Sequence, residues 1–408
     1  TKRIKVLALS YLFPNRERPN HGIFVLNRLK ALSQYVDIKV INPIPWFPLQ
    51  SMVGRYSHLQ NIPEQDKIGG LGVYHPRFLS IPKYCKASEG DRYLKAISPV
   101  VQKIHEEFEF DLIDMHWTFP DLPAGITLGK EYGKKTIVTL RGMEAFHKQD
   151  KDQRKAIVAK SLKEVDAIIV LSQELKNHGD LHSGNPSKST VIMNGVDTDQ
   201  FFYIPKDEAR QHISIDATEI NILSVGSLIY RKGFDLLIKC IAKLKQDDRY
   251  KHIHLYIIGS EGAEGDYRSE LNHLMDELDV SGNVTFVGQV SNDELKFWYN
   301  ACDLFCLASR GEGSPNVLSE ALACGCPAVT SEVGCAREII NVESNLGVCV
   351  KPDNFDELFN GIVNAINTRF NRVRNAKKYS AYDWNWCAEN VLVGYEGLIG
   401  IPTVGAQL

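Results

Sequence analysis

One stretch of the sequence decides how its second half folds. It follows the apolar run 304–307 and reads Glu312-Gly313-Ser314-Pro315-Asn316-Val317-Leu318-Ser319-Glu320-Ala321-Leu322-Ala323-Cys324-Gly325-Cys326-Pro327. An apolar run, a turn and a helical pattern in this order are typical of a βα unit. Ser314 suits an N-cap and Pro315 the first helical position, so we predict that a helix begins there. The free N–H groups and positive dipole end of that helix would bind a diphosphate.

Short β-branched runs recur outward from this stretch, with helical patterns between them. This alternation is typical of parallel sheets covered by helices on both faces. Strands are predicted at 4–9, 37–41, 112–115, 136–140, 167–171 and 190–193 in the first half, and at 220–225, 253–258, 284–287, 304–307, 327–330 and 347–350 in the second. The predicted fold class is therefore α/β, with two Rossmann-like, doubly wound sheets.

The two sets of strands are separated by a turn signal, Asn194-Gly195-Val196-Asp197, and by a polar stretch that continues to about residue 218. A length of 408 residues also favours two domains. We predict an N-terminal domain at 1–200, a C-terminal domain at 201–380 and a C-terminal helix at 381–408, with a ligand cleft between the domains. The region 43–82 lacks clean periodicity and is predicted to be an irregular insertion.

Composition narrows the classes of function. Forty-seven basic and fifty acidic side chains leave a formal charge of -3, so no global basic field attracts nucleic acid. The apolar runs are much shorter than the roughly 20 residues of a membrane-spanning helix. Residues 1–3 lead directly into a predicted strand without a signal-peptide pattern, and the nine cysteines lack a C-x-x-C pair. We expect a cytoplasmic protein with reduced thiols and no metal.

Two carboxylates and one acidic motif are candidates for chemistry. Glu312 and Glu320 flank the predicted helix start, and carboxylates accept hydrogen bonds from pairs of hydroxyl groups; the alternative is that both are ordinary surface charges. Asp197 and Asp199 form a D-x-D pattern, which in some transferases binds a divalent metal. Because this pattern follows a turn signal, we predict local turn and capping chemistry there instead.

The motif E-G-S-P-N-V-L-S-E-A-L-A-C-G-C-P resembles the E-x7-E signature of retaining glycosyltransferases of family 4, which have the GT-B fold. The resemblance extends over nearly the whole chain. Its other motifs are Gly226-Ser227-Leu228-Ile229-Tyr230-Arg231-Lys232-Gly233-Phe234-Asp235, Val191-Ile192-Met193-Asn194-Gly195-Val196-Asp197, Gly334 with Glu338, and Pro19-Asn20-His21-Gly22-Ile23-Phe24-Val25. The last of these motifs resembles the glycine loop that follows the first strand in polysaccharide-assembly members of the family. The resemblance also implies that the C-terminal helix crosses back onto the first domain.

The resemblance implies roles for individual residues. Those expected to be catalytic are His116, Lys232 and Glu312; the alternative for His116 is a satisfied histidine at a domain interface. Those expected to bind the donor are Gly22, Gly226, Ser227, Arg231, Lys232, Gly313, Ser314, Pro315, Asn316, Val317 and Glu320. Arg141 and Glu144 are expected on the acceptor side; a structural ion pair is the alternative for these two. The family's usual arginine is Ser227 here, so either Arg231 replaces that charge or the diphosphate is bound less tightly.

The function implied is a metal-independent, retaining hexosyltransferase without a cofactor. Its donor would be a nucleotide-diphosphate sugar, with uridine as the default base, and its acceptor a sugar or lipid-linked sugar in polysaccharide or glycolipid assembly. The aromatic residues Trp46, Phe47 and Tyr56 suggest peripheral attachment to the inner face of a membrane. Two alternatives are a nucleotide-sugar 2-epimerase of GT-B fold, which would act on the donor alone, and a non-catalytic nucleotide-sugar sensor.

Overall fold

A computed structural model describes residues 3–81, 88–142, 153–262, 265–343 and 345–400. The chain forms two compact units: Thr1–Asn194 together with Trp384–Leu408 make unit 1, and Gly195–Asp383 make unit 2. The chain thus enters unit 2 after Asn194 and returns to unit 1 after Asp383. The predicted domain boundaries, at 200 and 380, lie a few residues from these two crossings.

The twelve predicted strands lie where the apolar runs placed them, with ends that differ by a residue or two, and four further strands lie between residues 44 and 79. In unit 1 they are β1 (Lys5–Leu9), β2 (Asp37–Ile41), β3 (Ile44–Trp46), β4 (Gln65–Ile68), β5 (Leu71–Tyr74), β6 (Arg77–Leu79), β7 (Leu112–Met115), β8 (Lys135–Leu140), β9 (Ala167–Val170) and β10 (Ser189–Val191). In unit 2 they are β11 (Ile220–Val225), β12 (Ile253–Ile258), β13 (Val284–Gly288), β14 (Leu304–Leu307), β15 (Ala328–Ser331) and β16 (Gly347–Val350).

Helices follow most of the strands, as expected for doubly wound sheets. They are α1 (Ile23–Leu32), α2 (Gly54–Ser57), α3 (Glu89–Phe108), α4 (Asp121–Tyr132), α5 (Arg154–Glu164), α6 (Gln173–Ser183), α7 (Lys206–Ile213), α8 (Phe234–Leu244), α9 (Arg268–Glu277), α10 (Asn292–Ala301), α11 (Asn316–Ala323), α12 (Ala336–Asn341), α13 (Phe355–Ile366), α14 (Arg372–Tyr379) and α15 (Trp384–Ile399). Among the described residues, no helix is both long and apolar enough to cross a bilayer.

The sheet of unit 1 has the order β10-β9-β8-β7-β1-β2-β5-β4. Its strands are parallel except for β4, which pairs antiparallel with β5. The prediction of an irregular insertion at 43–82 was wrong, because β3 to β6 all lie in this region and β5 extends the sheet beside β2. These strands have only three or four residues each, and the polar side chains of β4 obscure the alternation that would have revealed them.

Helices cover both faces of the sheet in unit 1. Leu7, Ile113 and Val138 belong to a core that α3, α4 and α5 complete. The opposite face packs against α1 and α15, whose Val391 and Tyr395 are fully buried. The C-terminal helix is therefore part of the core of unit 1.

The sheet of unit 2 is wholly parallel, with the order β13-β12-β11-β14-β15-β16. The first strand of the unit, β11, lies between the second (β12) and the fourth (β14), with Ile222 beside Leu304. Connections therefore change direction between β11 and β14. Open α/β sheets bind ligands outside the carboxyl ends of their strands at this kind of switch point.

Candidate functional site

Two loops flank the switch point of unit 2, and they carry most of the predicted donor-site residues. The loop after β11 contains Gly226 and Ser227 and continues into a 3₁₀ turn at Tyr230–Lys232. The loop after β14 runs through Glu312 to the start of α11. These loops are far apart in sequence, but the parallel pairing of β11 with β14 places them at the same edge of the sheet.

Lys232 and Glu312 form an ion pair across these two loops. Nζ of Lys232 lies 2.5 Å from Oε1 of Glu312, and the two side chains are 15% and 9% exposed. The same Oε1 accepts a hydrogen bond from the Ser309 hydroxyl at 2.7 Å. Arg231 lies beside the pair: its Nη1 donates to the Gly311 carbonyl at 2.7 Å and is 3.5 Å from Oε2 of Glu312. Two cations therefore converge on one partly buried carboxylate.

Gly226 provides the space that the lysine side chain occupies. A Cβ atom at this position would lie 3.1 to 3.4 Å from Cδ, Cε and Cγ of Lys232. Contacts of this length are tighter than ordinary van der Waals packing, so any larger residue would displace the stem of the lysine. The predicted Gly226 and Lys232 are thus parts of one arrangement.

Arg310 fixes the turn that precedes the lysine, and the sequence analysis missed it. Its guanidinium makes two hydrogen bonds with Asp235, at 2.9 and 2.8 Å, and a third with Asp353 at 2.8 Å. It also donates to the carbonyl of Tyr230 at 2.8 Å and lies 3.9 Å from the centre of that tyrosine ring. Bidentate arginine pairs are geometrically specific. Its position two residues before Glu312 was the available signal.

The helix start after β14 differs by one residue from its prediction. The N-cap of α11 is Pro315, and the first helical residue is Asn316. Ser314 is therefore not the cap; its hydroxyl accepts from the Cys335 thiol at 3.3 Å. Gly313, Ser314 and Val317 lie around this start. Gly334, at φ +55°, allows a close approach here, since a Cβ on it would lie 2.3 Å from the carbonyl oxygen of Gly313.

Glu320 lies further along α11, within the same unit. Its Oε2 accepts a hydrogen bond from the hydroxyl of the fully buried Tyr299 at 2.8 Å. Burial raises the pKa of Glu320 to about 7; the Tyr299 hydrogen bond opposes this shift, and the negative charge of Asp197 adds to it. Because only one oxygen of this carboxylate is hydrogen-bonded to Tyr299, it can still accept hydrogen bonds from the hydroxyl groups of a ligand.

The D-x-D pattern has the local role that was predicted for it. Oδ1 of Asp197 accepts hydrogen bonds from the amides of Asp199 and Gln200, both at 3.1 Å. This is the arrangement of an Asx turn. In the part of the chain that the structure describes, no group of three or more His, Cys, Asp or Glu side chains is placed to bind a metal ion.

The remaining predicted residues lie in unit 1, at the carboxyl edge of its own sheet. Gly22 precedes the first residue of α1, and His116 follows β7. Arg141 follows β8, and its Nη2 is 3.1 Å from Nδ1 of His116, so these two predicted residues are in contact. The side chain of His116 has no exposed surface and that of Arg141 is buried. Glu144 lies outside the described residues.

Two Rossmann-like units in one chain are the architecture of the GT-B class of glycosyltransferase folds. The chain belongs to the glycosyl transferases group 1 family, which it matches over residues 205–383, and residues 57–200 match Glycosyltransferase Family 4. An uncharacterized glycosyltransferase of Methanocaldococcus jannaschii is 30% identical over 364 residues, which cover 82% of this chain and 87% of that protein.

Two further similarities extend over most of the chain. A putative teichuronic acid biosynthesis glycosyltransferase of Bacillus subtilis, TuaC, is 24% identical over 366 residues, with 88% of each chain covered. The HepE protein of Anabaena, whose crystal structure contains UDP, has a TM-score of 0.73 at 18% identity, covering 97% of this chain and 100% of that one. At this identity the structural likeness establishes the GT-B fold.

Proposed function

We propose that this glycosyltransferase transfers a hexose from a nucleotide-diphosphate sugar to an acceptor hydroxyl, with retention at the anomeric carbon and without a metal. The observation that carries the proposal is the convergence of Lys232 and Arg231 on Glu312 at the switch point of unit 2. A pyrophosphate needs cationic partners as its charge grows during bond cleavage, and two are present here. The presence of UDP in the crystal structure of HepE supports uridine as the base.

In the reaction we propose, Lys232, Arg231 and the first amides of α11 bind the diphosphate. The bond between the anomeric carbon and the diphosphate breaks, and the acceptor oxygen forms its bond on the same face of the sugar. The acceptor proton passes to the departing phosphate oxygen. Positive side chains and oriented amides stabilise the charge that develops on that oxygen. Glu312 contacts the donor sugar, and Glu320 accepts hydrogen bonds from the ribose hydroxyls.

Unit 1 is proposed to bind the acceptor, and Arg141 is proposed to be one of the residues that face it. Assembly of a cell-surface polysaccharide or glycolipid is proposed because TuaC is named for teichuronic acid biosynthesis. Residues near β3 present apolar surface: Trp46, Leu49 and Met52 are 46%, 72% and 78% exposed. By contrast, Phe47 and Tyr56 pack against each other with ring centres 5.6 Å apart. Peripheral membrane attachment through the exposed side chains is part of the proposal.

The direct test is a transfer assay with UDP-glucose and undecaprenyl-diphosphate N-acetylglucosamine, run with and without EDTA. We expect a product whose anomeric proton coupling shows the donor's configuration, at a rate that EDTA does not change. Lys232→Ala should lower turnover on the order of a hundredfold, as loss of other transition-state charge donors does. Isomerised UDP-glucose without acceptor would indicate an epimerase instead, and tight binding without turnover across an acceptor panel would indicate a sensor.

A further inference from the structure

A line of polar side chains crosses unit 1 from its C-terminal helix to the carboxyl ends of β7 and β8. The Tyr395 hydroxyl, on α15, donates to Oδ2 of Asp114 at 2.5 Å. The same carboxylate oxygen is 3.1 Å from Nε2 of His116. Nδ1 of His116 is 3.1 Å from Nη2 of Arg141, whose Nη1 is 3.4 Å from Oδ1 of Asn194. Five residues from four separate parts of the chain are thus connected by successive polar contacts.

The chemistry of arginine determines the protonation of the histidine in this line. A guanidinium can only donate hydrogen bonds, so Nδ1 of His116 is the acceptor and carries no proton. Burial lowers the pKa of His116 below its ordinary value although Asp114 raises it, and the charge of Arg141 lowers it further, so the ring is neutral. The ring proton is therefore on Nε2, facing Asp114, although its N–H is not aligned well enough for a full hydrogen bond.

Tyr395 and His116 contact the same oxygen of Asp114, Oδ2. Burial alone would raise the pKa of Asp114, but His116, the Tyr395 hydroxyl and the nearby Arg28 lower it below its ordinary value. The carboxylate is therefore ionised. Within the described part of the chain, its Oδ1 has no hydrogen-bond partner. Without the tyrosine hydroxyl, the Asp114 carboxylate would lose the hydrogen bond that best fixes its orientation.

Exposure indicates which members of the line can meet a substrate. Tyr395 and His116 are 0% exposed and Asp114 is 1% exposed, whereas Arg141 is 5% and Asn194 is 8% exposed. The guanidinium of Arg141 also lies 4.8 Å from the centre of the Phe24 ring. All five residues are buried, and Arg141 and Asn194 retain most of the small exposure that the line has. Any effect of Tyr395 and Asp114 on a substrate is therefore transmitted through these two residues, and His116 is the shortest polar contact of Arg141.

We propose that Tyr395 and Asp114 are positioning residues that act through His116 to orient the guanidinium of Arg141 for acceptor binding. This inference rests on the proposed function, since it assumes that unit 1 binds the acceptor. It gives the C-terminal helix a part in acceptor recognition. It also makes His116 a positioning residue, because both of its ring nitrogens face protein groups and neither is exposed.

The first measurement is made on the native chain, and a variant serves only to assign the spectrum. A long-range ¹H–¹⁵N spectrum of the full chain, with His116 assigned through His116→Gln, should show a neutral ring protonated on Nε2. A ring protonated on Nδ1, or charged at pH 7, would overturn the proposal. This result does not depend on finding an acceptor, so it distinguishes failure of the inference from failure of the proposed transfer activity.

The second measurement compares Tyr395→Phe with the native chain. We expect KM for undecaprenyl-diphosphate N-acetylglucosamine to rise about three- to tenfold, as misorientation of a binding group would cause. The affinity for UDP-glucose, measured by calorimetry, should not change, and the Nε2 resonance of His116 should shift. Tyr250→Phe is the matched control, since its buried hydroxyl accepts from Asn367 in unit 2. An unchanged acceptor KM, or an equal loss of donor affinity, would show that the hydroxyl only supports the fold.

Discussion

Lys232 Nζ and Glu312 Oε1 lie 2.5 Å apart, on loops separated by eighty residues of chain. The pairing of β11 with β14 brings these loops together at the point where the strand order of unit 2 changes direction. A half-buried ammonium group needs an anion nearby, and the carboxylate provides one while no diphosphate is bound. In the proposed function a diphosphate would compete with Glu312 for the lysine, so this ion pair should control how the protein responds to a diphosphate.

Neutralising the carboxylate should separate binding from transfer. In Glu312→Gln, Lys232 loses its anionic partner and the diphosphate meets less repulsion, so UDP should bind at least as tightly as to the native chain. Transfer should fall at least about tenfold, because the proposed contact with the donor sugar is weakened. Calorimetry and the transfer assay measure the two effects. Glu208→Gln, on the exposed surface of α7, is the control, and weaker UDP binding to Glu312→Gln would contradict the account.

Gly226→Ala tests whether the lysine stem needs the space beside β11. The added methyl group would lie 3.1 Å from Cδ of Lys232, so the ammonium should move away from Glu312 and turnover should fall roughly tenfold, with the thermal midpoint nearly unchanged. Gly282→Ala is a matched control, because nothing lies within 4 Å of the Cβ that it adds. If both variants turn over at the native rate, this packing has no role in donor binding.

The raised pKa of Glu320 predicts a pH dependence for donor binding. In the proposed function the ionised form of Glu320 accepts hydrogen bonds from the ribose hydroxyls, so affinity for UDP-glucose should rise with pH through about 7 and then level off. At pH 6 it should be about tenfold weaker than on the plateau. UDP-glucose is the suitable ligand because its diphosphate does not titrate near neutral pH. Glu320→Gln should bind more weakly and show a flat profile.

Titration of Glu320 should affect stability and donor affinity in opposite directions. Because its folded pKa is above its ordinary value, Glu320 retains a proton that the unfolded chain has already released. The free energy of unfolding of the ligand-free protein should therefore fall, from this group, as pH rises from about 4.5 to 7. Glu320→Gln should remove that part of the pH dependence in urea titrations. An identical slope in both proteins would show that Glu320 titrates normally.

Exposed apolar side chains near β3 predict affinity for membranes. Replacing Trp46, Leu49 and Met52 by serine should reduce binding to liposomes containing undecaprenyl-diphosphate N-acetylglucosamine by on the order of tenfold or more, since each buries apolar area on contact. Binding of UDP-glucose should not change. Leu181→Ser is the control, because Leu181 is 76% exposed on α6. No affinity of the native chain for these liposomes would remove membrane attachment from the proposal.

The strands of unit 2 and six strands of unit 1 were predictable from sequence, whereas the short strands at 43–82 and the polar contacts inside unit 1 were not. Apolar runs such as 253–258 have the length and β-branched content of buried parallel strands, so periodicity alone located them. The strands at 43–82 have only three or four residues each, which is too short for a clear alternation. Their pairings, β5 with β2 and β3 with β6, have no local signal. A helix start was predictable only to within one residue, since Ser314 and Pro315 both have capping preferences.

The contacts that connect distant residues had no local signal. In the sequence, Tyr395 is indistinguishable from the other apolar positions of an amphipathic helix. Its partner Asp114 lies 281 residues earlier, inside a strand. Lys232 and Glu312 were predicted separately through motifs, but their ion pair follows from the strand order of unit 2. Side-chain chemistry was therefore readable from sequence, whereas the partner of each side chain required the fold.

Calorimetric titration of UDP into the native chain, Lys232→Met and Lys245→Met tests the central claim most directly. Lys232 lies at the switch point, whereas Lys245 donates to the carbonyl of Asp279 at the surface of the same unit. We predict that Lys232→Met weakens UDP binding about tenfold or more, as loss of a charged hydrogen bond should, and that Lys245→Met binds UDP like the native chain. Equal dissociation constants for all three proteins would contradict a diphosphate site at Lys232.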